Sequence, residues 1–115
     1  MMYDLSLIGQ MGKNDPSFIG AVVSLFLASI PTDLNELNEA YVEKNWKQFA
    51  IAAHKLKSTI DTLGIGSISE TIRTIETATT TNEFDEKVLE LQVNKITSIL
   101  NEVHKELTEK YPQGI

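Results

Sequence analysis

Apolar residues recur at helical spacing along most of the chain. Ile19, Val23, Phe26, Ile30, Leu34, Leu37 and Tyr41 follow one another at steps of four and three, which stacks them on one face of a helix. Phe49, Ala53, Leu56, Ile60 and Leu63 form a second such stripe, and Ile68, Ile72 and Ile75 a shorter third. The most regular is the fourth, Leu89, Val93, Ile96, Leu100, Val103 and Leu107. No stretch alternates apolar and polar residues between hairpin turns, so strands have no place.

Helix punctuation agrees with these stripes. A short apolar segment, Leu5 to Met11, stops at Gly12. Asp15 then offers an N-cap with Pro16 at the first helical position. Pro31 removes one backbone donor from the helix that follows and crowds the preceding turn, yet the stripe continues in phase beyond it, so one kinked helix is expected. Asn45 suits the N-cap of the second long helix, and Gly64 suits a left-handed C-cap at its end. Ser67 and Glu70 have the spacing of a capping box for a helix ending near Thr79, and the Thr-rich patch Thr77 to Thr81 reads as a worn helix end and turn. Asp85 starts the last helix, and Tyr111 and Pro112 mark its end. Four sizeable amphipathic helices joined by short turns predict an all-α, antiparallel up-down-up-down four-helix bundle with a short extra N-terminal helix. The 115 residues, 42% of them hydrophobic, make a single domain spanning 1–115 the expectation.

Charge narrows the partners. With 16 acidic against 10 basic residues, a formal charge of −6 and a pI near 4.8, the molecule repels phosphate backbones and anionic membranes. The absence of cysteine removes disulfides, thiolate nucleophiles and thiolate-ligated zinc. No uninterrupted apolar run approaches the roughly 18 residues of a membrane span, and the N-terminus lacks the flank of a signal peptide. A monomeric cytoplasmic protein is the expectation, and a methionine close to the first helix points to a free-standing one.

Chemistry concentrates on the second long helix. His54 follows Ala53 of the apolar stripe and is turned about 100° from it around the axis. Its own side carries Lys47, Ala50, Lys57, Ser58 and Asp61, a polar set with small residues close by. An exposed imidazole is mostly neutral, and therefore nucleophilic, near neutral pH. Lys57 one turn on can neutralise an incoming phosphoryl oxygen, and a small residue at Ser58 leaves room for a bulky donor. An isolated surface histidine with a lysine one turn away is also commonplace, so the spacing alone does not decide.

Ala53-His54-Lys55-Leu56-Lys57-Ser58-Thr59, followed by Leu63-Gly64, resembles the signature of histidine-containing phosphotransfer (HPt) domains, roughly A-H-x-L-K-G-S-x-x-x-L-G. Asn45-Trp46 resembles the family's entry into that helix, and the resemblance extends from about Asp4 to Leu107. It implies that His54 is the phosphorylated residue, that Lys57 stabilises the phosphoryl group, and that Ser58 stands where the family usually keeps glycine. It also implies response-regulator receiver domains or a hybrid histidine kinase as partners, with magnesium belonging to the receiver and no cofactor in this chain. The chain would then be a carrier without kinase activity of its own. Ile60 departs from the small residue often found there but falls on the buried stripe. Asp61 is placed to pair with Lys57, in the weaker Lys-before-Asp order, and would make Lys57 less available. Leu7, Ile8, Met11 and Ile51 are candidates for a docking surface, or else for a lid packed over the bundle end.

Other chemistries find little support. His104, flanked by Glu102, Lys105 and Glu106, reads as a surface histidine. Neither histidine has a metal-ligand spacing, and no glycine-rich nucleotide motif is present. The competing readings are a helical interaction module that is never phosphorylated and, more distantly, an enzyme with a histidine general base lacking any visible second group.

Overall fold

A computed structural model describes residues 2–111. Its helices are α1 (Ser6–Met11), α2 (Pro16–Glu43), α3 (Trp46–Thr62), α4 (Ser69–Thr81) and α5 (Glu86–Lys110), with a 3-10 turn over Gly66–Ile68 before α4. No strand occurs among the described residues. The 28 residues of α2 span about 42 Å at 1.5 Å per residue, which matches the 43 Å long axis of the molecule. Helices α2 to α5 form an all-α, antiparallel up-down-up-down bundle, with α1 as the short extra helix.

The caps show why the elements begin where they do. The Asp15 carboxylate accepts from the Ser17 amide, Asn45 Oδ1 from the Gln48 amide at 3.2 Å, and Asp85 from the amides of Lys87 and Val88. Gly64 takes φ +62°, and a Cβ there would strike Asp4, whose amide bonds the Leu63 carbonyl at 2.9 Å. The close approach and the left-handed backbone both require glycine at this position.

Every residue of the α3 and α5 stripes is buried, as are Ile68, Ile72 and Ile75. In α2, Val23, Ile30, Leu34 and Leu37 are buried, whereas Ile19, Phe26 and Tyr41 lie half-buried at the margin. Each large core side chain stabilises the fold by about 1.5–3 kcal/mol. Trp46 joins Tyr41, Phe49 and Phe84 in an edge-on aromatic cluster that closes one end of the bundle.

Several details differ from the sequence expectation. The Ser67–Glu70 capping box does not form: Ser67 lies inside the 3-10 turn, Ile68 takes the N-cap position of α4, and no side chain caps it. Burial of Ile68 fixes the chain there. The threonine patch is helical to Thr81, with the hydroxyls of Thr79, Thr80 and Thr81 returned to carbonyls one turn back, and Asn82 closes the helix in the left-handed conformation. Helix α2 runs as one helix through Pro31, in keeping with the expectation. By length and composition alone it is also long and apolar enough to cross a membrane, which the sequence expectation did not foresee. Polar residues such as Ser24, Ser29 and Thr32 interrupt its apolar runs, and here α2 is a bundle helix packed against α3 and α5. Tyr111 ends α5 as expected, and Pro112 lies outside the described residues.

Candidate functional site

Helices α3 and α4 form a hairpin about the turn at Ile65, so residues equally far from that turn face each other. His54 and Glu76 are such a pair. The stripe of α3 turns Ala53 inward and leaves the His54 side chain 68% exposed. Ile72 and Ile75 anchor α4 on its core side, which brings Glu76 up along the seam with its side chain only 19% exposed.

Glu76 joins the site together. Its Oε2 lies 2.7 Å from His54 Nδ1 and its Oε1 2.8 Å from Lys57 Nζ. Burial opposes ionisation of the Glu76 carboxyl, but hydrogen bonds and charge from Lys57 and His54 outweigh it and hold the pKa below the ordinary value. An ionised carboxylate only accepts, so Nδ1 of His54 carries the proton. In the neutral ring the lone pair is then on Nε2, which has no hydrogen-bond partner among the described residues.

Lys57 is less exposed than its place on a polar face suggested, at 28%, because the Glu76 ion pair draws it into the seam. Ser58 is exposed one turn beyond His54. Asp61 does not pair with Lys57: its Oδ2 lies 2.7 Å from Nη2 of Arg73, which also donates through Nη1 to Ser69. The helix α4 supplies a better partner for each group than α3 does for itself. Lys55, on the other flank of the histidine, reaches Glu36 of α2 at 3.2 Å.

Among the apolar candidates, Leu7, Met11 and Ile51 are exposed and Ile8 is fully buried. Ile8 is therefore part of the lid, not of a free surface. Leu7 and Gln10 line an open cleft of about 410 Å³ against Ile60, Asp61 and Gly64 at the far end of α3.

A family model described as the Hpt domain matches residues 21–109, most of the chain and all of the α3–α4 hairpin. The chain belongs to the Hpt family. Hpt domains serve histidine phosphotransfer in phosphorelays and work with receiver domains and histidine kinases of two-component systems. They are phosphocarriers rather than catalysts. No curated protein and no solved structure matches the chain significantly. The matched segment contains His54, Lys57, Ser58 and Glu76, whereas α1 lies before it.

Sequence reasoning missed Glu76. The signal was present, since a glutamate stands as far after Ile65 as His54 stands before it, but reading it requires the register of the hairpin. His104 is the other departure. It is half-buried, not on the surface, with Nε2 2.9 Å from the Leu27 carbonyl of α2. Among the described residues no cluster of three or more histidine or acidic side chains is placed to hold a metal.

Proposed function

We propose that this protein is a phosphorelay carrier in which Nε2 of His54 accepts the phosphoryl group from the aspartyl phosphate of one receiver domain and passes it to the aspartate of another. The observation that carries this reading is the Glu76 hydrogen bond to Nδ1, which leaves Nε2 as the open nucleophile on an exposed face. In the forward step the Nε2 lone pair forms the N–P bond as the bond from phosphorus to the aspartyl oxygen breaks, and the receiver carboxylate departs with that electron pair. The Nδ1 proton stays in place, and Glu76 offsets the positive charge that develops on the ring. The return step reverses these changes at a second receiver.

Lys57 exchanges its contact with Glu76 for the new phosphoryl oxygens, a charge-assisted interaction available one turn from the ring. Ser58 keeps the approach to Nε2 low. Magnesium for the reaction is assigned to the receiver, and this chain acts without a cofactor. Leu7, Met11 and Ile51 supply apolar contact for the receiver around the polar centre. The protein works in the cytoplasm as a monomer.

The test is to mix the protein with a panel of radiolabelled, phosphorylated receiver domains, with and without His54→Gln. Transfer of acid-labile, base-stable label to the wild type alone supports the proposal. Binding of receivers without transfer favours the unphosphorylated interaction module.

A further inference from the structure

We propose that His104 is the donor that replaces the backbone N–H missing at Pro31, and that this clasp between α5 and α2 lets α2 run unbroken through a proline. In an α-helix the N–H of residue 31 would bond to the carbonyl of residue 27. Proline has no N–H, and its ring pushes against that same carbonyl. Leu27 is buried, so its carbonyl cannot turn to bulk water for a replacement. The Leu27 oxygen instead meets Nε2 of His104 at 2.9 Å, across 77 positions of sequence.

The contact fixes which ring nitrogen donates. A carbonyl only accepts, so Nε2 of His104 holds a hydrogen. Neutral and charged imidazole can both donate from that nitrogen, so the contact is a structural clasp and not a pH switch. It ties the N-terminal half of α2 to the C-terminal half of α5, beside the buried Val103 and Leu107. That half of α2 carries the exposed Leu25, two residues before the clasped carbonyl, so the clasp also sets how this edge of the bundle is presented.

The experiment is a double-mutant cycle on thermal unfolding of the full chain. His104→Leu keeps bulk and removes the donor, and Pro31→Ala restores the backbone amide to the Leu27 carbonyl. The expected result is a loss of about 5–10 °C in Tm for His104→Leu in the natural chain and under about 2 °C in the Pro31→Ala background. His104→Gln, which retains an amide donor, recovers part of the loss. An equal loss in both backgrounds overturns the proposal. Should His104→Leu fail to fold, hydrogen exchange of the His104 ring proton decides. Exchange that speeds up in Pro31→Ala supports the clasp, and an unchanged rate overturns it.

Discussion

The chain has two histidines on long amphipathic helices, and the structure uses them in opposite ways. His54 commits Nδ1 to a carboxylate and leaves Nε2 open on an exposed face. His104 commits Nε2 to a backbone carbonyl inside the α2–α5 seam. Each has a lysine next to it, but His104 also has Glu102 and Glu106 two positions away, whereas the acidic residue nearest to His54 in sequence is Asp61. The difference is made across the helix interface by Glu76 in one case and by the Leu27 carbonyl beside Pro31 in the other. Which nitrogen the neighbour occupies decides which one each histidine leaves open.

The sharpest way to break this comparison is to remove each ring in turn. His54→Gln should abolish phosphoryl transfer while changing stability by no more than about 0.5 kcal/mol, because the site is exposed. His104→Leu should do the reverse and cost about 1–3 kcal/mol, the penalty of an unpaired buried carbonyl, while the protein still accepts label. Transfer assays and denaturant unfolding on both variants check the contrast.

A second prediction concerns the carboxylate. A hydrogen bond to a charged group contributes about 1.5–3 kcal/mol, so Glu76→Ala should slow transfer by roughly 10- to 100-fold. Single-turnover kinetics at a fixed receiver concentration would show it, and a rate within twofold of the wild type would remove Glu76 from the account. Lys57→Ala should produce a smaller loss of about tenfold, because water can replace part of the charge stabilisation at a half-open site.

The pH dependence has a definite sign. The folded pKa of Glu76 lies below its ordinary value of 4.5, so its ionised form stabilises the fold above that pH. This contribution is lost as pH falls from there through the depressed folded value. Asp33, raised by burial and by Glu36, titrates with the opposite sign. Acid unfolding curves of wild type and Glu76→Gln cancel the Asp33 effect, and the variant should lose less stability than the wild type across that window. Parallel curves would contradict the assignment.

The smallest expected effect is at Asp61. Its pair with Arg73 is about 40% exposed on both sides, a class of ion pair worth about 0–1 kcal/mol. Asp61→Ala should leave transfer within twofold, because Lys57 is held by Glu76 and not by Asp61.

These residues also show what could be read from the sequence. Repeating apolar stripes determined the helices, and the caps at Asp15, Asn45 and Asp85 follow from side-chain chemistry local to each start. The exposure of His54 followed from its angle to Ala53 on one helix. Pairings between helices were not legible in the same way. Glu76, Arg73 and His104 act on partners from another helix, and a single helix face cannot show which of several charged neighbours an adjacent helix will bring closer. The Ser67–Glu70 spacing failed for a related reason, since burial of Ile68 set the start of α4 more strongly than a local cap could.

Whether the open Nε2 of His54 is the phosphoryl acceptor can be tested without knowing the partner. Protein labelled with 15N in its histidine rings would be treated with phosphoramidate, and the ring nitrogens read by NMR. Phosphorus is expected on Nε2 of His54, with a proton retained on its Nδ1 and His104 unmodified. Phosphorus on Nδ1 of His54, on His104, or on neither ring would contradict this.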